Sequence, residues 1–394
     1  MLNIKHLLSK EIQNFIHENL NQNLEILALK KNPFPSANYT EILNQISAKK
    51  KSKDKLPTWF NTTDIIFPSK ISIEQTSSEV TAAYKSTLMN GTAIIDITGG
   101  FGVDAFYFAK KMKQVFHCEI DEELHHIVAH NFLVINQKNI QCFHGDGLAI
   151  LSQLKLTFDW IYIDPSRRND TKGKVFILND CLPNVPLLLN TYFNYSKNIL
   201  IKTAPLLDIS TGIKELKFVK KIHIISIKNE VKELLWELEK NYQDEIKINA
   251  VSLENEKINN FETIYKKNYE VSYSLPKKYI YEPNGSIMKS GNVNALSSYH
   301  KIKKLHLHSH LFTSDDKMAF PGRCFELNEV VPFQKEFMKK LQNIKINCAT
   351  RNFPMRVDEI KKKYKIKDGG TIFAFFTTNI YNEKIVLLCS KIDC

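Results

Sequence analysis

Apolar positions recur along this chain in two different rhythms, and the change between them divides it. Up to about residue 70 they fall every three or four residues. Ile4–Asn19, Leu24–Leu29 and Tyr39–Lys50 carry such stripes, which predict amphipathic helices. Pro33 and Pro35 interrupt them, and Pro57 and Pro68 flank a Trp59-Phe60 pair. From residue 90 to 252, short apolar runs alternate with helical stripes. Ala93–Ile97, Gln114–Ile120, Ile140–His144, Phe158–Ile163 and Asn198–Lys202 read as strands. Val103–Met112, Glu122–Asn136, Leu148–Leu154 and Leu182–Tyr195 read as helices between them. That alternation predicts a parallel, doubly wound sheet. His223–Ile227 and Ile246–Leu253 supply strands six and seven, with a helix over Glu230–Lys240 between them. A helix over Glu74–Met89 leads into the first strand.

Beyond residue 255 the alternation stops. Tyr269–Leu275 and Leu305–His310 read as half-buried strands, and the second would place His306, His308 and His310 on one face. Such a face suits a metal, but no acid or cysteine motif accompanies it, so an ordinary strand face is the preferred reading. His126 and His130 share a helical face and are read the same way. Residues 322–394 run strand, helix (Pro332–Gln342), strand (Ile344–Ala349), helix (Val357–Tyr364), then strands Thr371–Thr378 and Lys384–Cys389. That order predicts a small α+β module.

The chemistry concentrates where strands end. After Asp96 comes Thr98-Gly99-Gly100-Phe101-Gly102, a loop whose glycines let the backbone approach a ligand closely. Glu119, Asp146 with Gly147, and Asp164 with Pro165 close the next strands. Gly100-x-Gly102-x-x-Ala105 also fits a dinucleotide fingerprint, with Glu119 as its ribose acid. Four carboxylates would repel a pyrophosphate, however, and suit the ammonium, ribose hydroxyls and adenine amine of S-adenosylmethionine. The competing structural reading is that each acid caps the helix that follows it.

Here the chain resembles class I S-adenosylmethionine-dependent methyltransferases. DITGGFGVD (96–104) is similar to their glycine-rich motif, CEID to the ribose-binding one, GDG to the adenine-side one and DPSRR to the catalytic one. More narrowly, it resembles the bacterial group that carries a THUMP-like domain at the C-terminus. EQTSSEVTAAYK (74–85), KNEVKELL (228–235), YEPNGSIMKSG (281–291), HLFTSDD (310–316), FPGR (320–323), TRNFPM (350–355) and KIKDGG (365–370) carry that likeness. It implies an α/β fold with a Rossmann-like seven-stranded methyltransferase sheet, an N-terminal helical region and small C-terminal α+β modules. The boundaries implied are 1–73 (helical), 74–254 (methyltransferase), 255–321 (a small ferredoxin-like or linking segment) and 322–394 (THUMP-like). The implied cofactor is S-adenosyl-L-methionine, held by Asp96, Thr98, Gly99, Gly100, Phe101, Gly102, Glu119, Ile120, Asp146, Gly147 and Asp164. Asp164, Pro165, Ser166 and Arg167 are the catalytic candidates. Ser78 and Lys85 are candidates for the methionine carboxylate.

Two departures narrow the chemistry. Enzymes that methylate exocyclic base amines carry an Asn/Asp-Pro-Pro-aromatic motif, whereas Ser166 and Arg167 stand in the last two places here. Cytosine C5 chemistry needs a cysteine nucleophile, and no Cys lies between Cys142 and Cys181. Composition adds a partner. With 43% hydrophobic and 24% charged residues the chain reads as globular, and its formal charge of +12 favours a polyanion such as RNA. Compositional drift toward lysine is the competing explanation, and the Lys49–Lys53 and Lys361–Lys363 runs read as solvated faces. There are 5 arginines. Arg167, Arg168, Arg323, Arg351 and Arg356 all fall in or beside motifs, where a planar bidentate donor suits phosphate. With Lys202, the last four are candidates for substrate contacts. Tyr281 and Lys289 are further candidates for the same pocket.

No apolar run reaches membrane-span length, Met1–Phe15 is unlike a signal peptide, and the seven cysteines are scattered without a CxxC pair. The reading is cytoplasmic, without membrane or metal, and of undetermined oligomeric state. Two functions remain open: an RNA methyltransferase acting on rRNA or tRNA, and a non-catalytic RNA- or ribosome-binding protein that keeps the fold.

Overall fold

The computed structural model of the chain describes residues 4–167, 177–254 and 257–394. The chain divides into two units, residues 1–221 with 234–244, and residues 222–233 with 245–394.

The first unit is built on the predicted sheet. Its strands are β1 (Ala93–Asp96), β2 (Gln114–Glu119), β3 (Ile140–His144), β4 (Phe158–Ile163) and β5 (Ser196–Thr203). β6 (Val219–Ile227) and β7 (Glu230–Glu239) run from this unit into the second. The strand order is β3-β2-β1-β4-β5-β7-β6. β1 pairs in parallel with β2 and β4, β2 with β3, and β4 with β5, while β5 pairs antiparallel with β7. The order reverses direction at β1 and β4, which is where open α/β sheets hold their ligands. Helices α1 (Glu79–Thr87), α2 (Val103–Ala109), α3 (Glu122–Val134), α4 (Gly147–Leu154), α5 (Val185–Tyr192) and α6 (Ile209–Glu215) belong to the same unit.

Two expectations fail here. Glu230–Glu239 is a strand, not a helix. Its leucines satisfy a helical stripe, but Leu234, Leu235, Trp236 and Leu238 are all buried, as in a strand covered on both faces. Lys228 (φ 50°) and Asn229 (φ 64°) make the tight left-handed turn that folds β7 back on β6. So β7 is the antiparallel strand of the methyltransferase sheet, and Lys247–Glu254 belongs to the second unit. The helix over Glu74–Met89 is also broken. One helix covers Lys70–Gln75, and α1 starts after Ser78, whose side chain accepts from the Thr81 N–H.

Residues 1–73 fall within the first unit. Helices cover Lys10–Glu18, Leu24–Ala28, Tyr39–Ser52 and Pro57–Asn61. The Ile65-Ile66-Phe67 segment is clamped by two buried amides. Gln45 exchanges two hydrogen bonds with the Phe67 backbone (2.6 and 2.8 Å), and Asn131 of α3 does the same with Ile66 (2.8 and 3.0 Å). Trp59 is fully buried against Phe101 and Phe106, so it is core and no platform for a base. His126 is half exposed and only 3.9 Å from Glu122, and His130 bonds the Asp64 carbonyl.

In the second unit, β8 (Lys247–Glu254) lies beside β6 and pairs antiparallel with β9 (Lys257–Ile264), so the first sheet continues to nine strands. Seven strands form another sheet: the two-residue strand Lys303–Lys304, then β11 (Phe312–Ser314), β10 (Tyr279–Pro283), β12 (Gly322–Pro332), β15 (Lys384–Ile392), β14 (Ile372–Thr378) and β13 (Asn347–Arg351). Residues 279–321 and the predicted α+β module thus share one sheet. The order strand-helix-strand-helix-strand-strand over 322–394 matches expectation, with α7 (Lys335–Lys340) and α8 (Val357–Tyr364) packed over Phe376 and Val386 through Met338 and Ile360. Two expected strands do not form. Tyr269–Leu275 contributes one bridge, Tyr273 to Lys304, and Leu305–His310 is a turn. The three histidines therefore share no strand face. His306 Nδ1 accepts from the His308 N–H (3.1 Å), which leaves its Nε2 to donate to Asn382 (3.1 Å). Cys324 and Cys394 form a disulfide, a pair that spacing along the chain does not reveal.

Candidate functional site

The β1–α2 loop makes a cradle at the end of the sheet. Gly100 has φ 54°, and a Cβ added there would meet only the Thr98 carbonyl, at 3.9 Å, so open space lies over it. Gly99 is different: a Cβ there would come within 2.2 Å of the His117 ring. His117 is fully buried beneath the loop, neither ring nitrogen has a hydrogen-bond partner among the described residues, and burial pushes its pKa down to about 4. Gly147 is packed on Ile97, where a Cβ would clash at 2.4 Å. The loop is thus pressed on a neutral imidazole from below and bare above Gly100.

Acids line the cradle. Asp96 is 1% exposed and accepts the Thr98 N–H at 3.0 Å. Burial, reinforced by the charges of Asp104, Asp164 and Glu119, holds its carboxyl well above the usual range, against the Thr98 N–H. Glu119 accepts the Gly100 N–H at 2.8 Å through one oxygen and the Asp121 N–H at 2.8 Å through the other. Burial raises its pKa, and those two N–H groups oppose the shift. Thr98 links the loop to the next strand end, its hydroxyl accepting the Asp164 N–H at 2.7 Å. Lys202 of β5 donates to Asp164. Ile120, beside Glu119, is 70% exposed. These groups fit a cationic ligand with hydroxyls better than they fit a phosphate.

Other expected residues have structural work. Asp146 caps α4, accepting the Ala149 N–H at 2.9 Å. Gly102 starts α2, and a Cβ there would strike Phe132 at 2.5 Å. Phe101 points into the core with Trp59 and Phe67 and is 3% exposed, so its side chain is no ligand contact. Pro165 is buried, while Ser166 is exposed and pairs with Leu182 in a short antiparallel ladder beside Arg167. Arg168 lies outside the described residues. Ser78 is a helix cap.

Lys85 is fully buried, 2.9 Å from Asp104. Ser77 donates to Asp104 at 2.8 Å and accepts from Lys85 at 2.7 Å, and the Tyr162 hydroxyl donates to Asp104 at 2.8 Å. Burial alone would raise the Asp104 carboxyl, but the Lys85 and Lys202 ammoniums outweigh it and hold it below its ordinary value. This network fixes the start of α2 under the loop. The sequence carries one sign of it: an acid inside the otherwise apolar VDAFYFA helix needs a partner.

In the second unit, Arg323 and Arg351 converge on Glu282. Arg323 Nε donates to Glu282 Oε2 at 2.6 Å, and Arg351 donates to Oε1 and, at 2.7 Å, to the Thr350 carbonyl. Glu282 is 3% exposed. Arg356 precedes α8, its N–H bonded to Glu359 at 2.9 Å. Tyr281 is buried with its hydroxyl on Ser314, and Lys289 lies on the helix Gly285–Ser290.

The model of a THUMP domain-like family matches residues 322–391, and that of a ferredoxin-like domain matches residues 279–321. The crystal structure of a protein from Porphyromonas gingivalis W83, provisionally described as a methyltransferase, is 29% identical, covers 100% of both chains and has a TM-score of 0.88. SMU.1697c from Streptococcus mutans, solved with S-adenosylhomocysteine, is 14% identical over 41% of this chain and 96% of its own, with a TM-score of 0.31. M. capricolum TrmK, also solved with that product, is 18% identical over 42% of this chain and 70% of its own, with a TM-score of 0.32. No curated protein matches in sequence. The chain is a methyltransferase-fold protein that carries a ferredoxin-like domain and a C-terminal THUMP-like domain.

Proposed function

We propose that this protein is an S-adenosylmethionine-dependent methyltransferase acting on structured RNA. The observation that carries the cofactor is the open space over Gly100, bordered by the buried acids Asp96 and Glu119. Glu119 holds the loop through the Gly100 N–H and offers its remaining lone pairs to ribose hydroxyls. Ile120 offers an exposed apolar face to the adenine. When bound, the cofactor would supply a sulfonium methyl group: an attacking lone pair would bond to that methyl carbon as the carbon–sulfur bond breaks, leaving a neutral thioether. Asp164 accepts a hydrogen bond from the attacking group and takes the proton that group loses. Lys202 fixes the direction of the Asp164 carboxylate. The net charge of +12 and the THUMP domain-like match at residues 322–391 support an RNA acceptor.

The test has two arms. Calorimetry with S-adenosylmethionine measures binding, and mass spectrometry of nucleosides from cells with and without the gene finds the methylated product. Asp164→Ala should keep the cofactor affinity and lose transfer by about a hundredfold or more. Equal turnover by variant and parent refutes the role of Asp164. Intact cofactor binding with an unchanged nucleoside profile would favour the non-catalytic, RNA-binding reading.

A further inference from the structure

Arg323 and Arg351 of the second unit face a carboxylate, but a set of lysines there makes no such pair among the described residues. Helices α7 and α8 enclose a groove of about 500 Å³ lined by Lys335, Lys339, Lys363, Gln342, Met338 and Tyr364. No acid is among these residues. Lys335, Lys339 and Lys363 make no ion pair among the described residues, Lys363 Nζ lying 5.4 Å from the centre of the Tyr364 ring, whereas Lys361, on the same helix, pairs with Asp368 at 2.8 Å. Met338 is fully buried and forms the floor. Tyr364 is half-buried, with its ring set edge-on to Phe333 at 5.9 Å.

We propose that this groove binds the sugar-phosphate backbone of single-stranded or looped RNA, with Tyr364 stacking against a base. This rests on reading the protein as RNA-directed. Three ammoniums around one groove repel each other until an anion enters. A run of phosphates supplies that charge at a regular spacing, and releases counterions as it binds. Lysine suits the task because a compact point charge on a flexible stem follows a backbone without demanding one geometry. The apolar floor and the tyrosine add what a simple anion does not use and a nucleobase does.

The experiment measures binding of a fluorescein-labelled single-stranded RNA of mixed sequence to the full chain by anisotropy, across a range of KCl. The set Lys335→Glu, Lys339→Glu and Lys363→Glu should weaken binding at least tenfold and flatten the salt slope by about two units, from three contacts of about 0.7 each. The set Lys10→Glu, Lys30→Glu and Lys31→Glu changes the charge equally on exposed residues of the other unit and should lose far less. The neutral set Lys335→Gln, Lys339→Gln and Lys363→Gln should move in the same direction by less. Equal losses from the two Glu sets overturn the groove in favour of diffuse charge. Equal competition by poly-glutamate at matched charge overturns the nucleic-acid assignment in favour of an acidic protein segment. Photo-cross-linking of bromouridine RNA should label the Tyr364 peptide, and labelling only elsewhere overturns the placement. A parent that binds no RNA at all sinks the RNA reading itself. Calorimetry with S-adenosylmethionine reports separately on the methyltransferase reading.

Discussion

Asp96 and Glu282 are both buried carboxylates, and the two units treat them in opposite ways. Glu282 receives two guanidiniums and is a closed account of charge. Among the described residues, Asp96 receives only a hydrogen bond from the Thr98 N–H, with a further contact from the Thr98 hydroxyl at 3.4 Å, and sits in the field of three other acids. A buried charge that is fully paired belongs to the architecture. One left short of positive charge, beside open space, suits the cation of the cofactor proposed above. Asp104 lies between these cases: it is in the acidic cluster, but Lys85 neutralises it.

The largest effect should come from Asp104→Ala. It takes the carboxylate away from the buried Lys85 ammonium, at a cost of about 3–5 kcal/mol, seen in urea unfolding. Because its folded pKa is depressed, the stability Asp104 contributes is present above the ordinary carboxylate range and lost as pH falls through the lowered value. A loss no larger than that of a surface variant would remove the contrast with Asp96. Glu282→Ala should cost somewhat less, about 2–3 kcal/mol, because water can reach the half-exposed arginines. Cofactor affinity should be unchanged in that variant, and a parallel loss in calorimetry would show that the two carboxylates are not independent.

Glu119→Ala should weaken S-adenosylmethionine binding by roughly 1–3 kcal/mol. Unchanged affinity in a folded variant would remove Glu119 from the site. The smallest effect, opposite in sign, belongs to Asp96→Asn. An acid whose folded pKa is raised makes the folded state lose stability as pH climbs from the ordinary carboxylate range through the raised value. The amide removes that loss. At neutral pH the ligand-free variant should gain no more than about 1 kcal/mol, since it keeps only part of the bond to Thr98. If thermal melting instead shows a loss growing with pH, Asp96 is a structural acid like Glu282.

The parts of this molecule legible in the sequence are those whose chemistry is local. The glycine loop, the acids at strand ends and the strand-helix order of residues 322–394 each depend on residues close together in the chain. What was hidden depends on distant partners. Phe101 looks like a loop residue until Trp59 and Phe67 cover it. Lys85 looks like a ligand contact until Asp104 takes it. β7 shows that an amphipathic stripe is no proof of helix when antiparallel pairing with β5 and burial on both faces compete for the same residues. Lys228 and Asn229 take the left-handed backbone that turns the chain from β6 into β7. Arg323 and Arg351 mark a motif, but only the fold shows that the motif is held by Glu282.

The Gln45 and Asn131 amides that grip Ile66 and Phe67 bear on how this protein can be divided. A chain cut at residue 73 would remove Trp59 and Phe67 from over Phe101 and Phe106, and would strip Asn131 of both its partners. Glu79 would lose the Thr58 groups that it holds at 2.6 Å. Phe101 of the glycine loop would then lose the rings that cover it. Residues 1–73 therefore pack with the sheet as one body, and a cut there would cost stability.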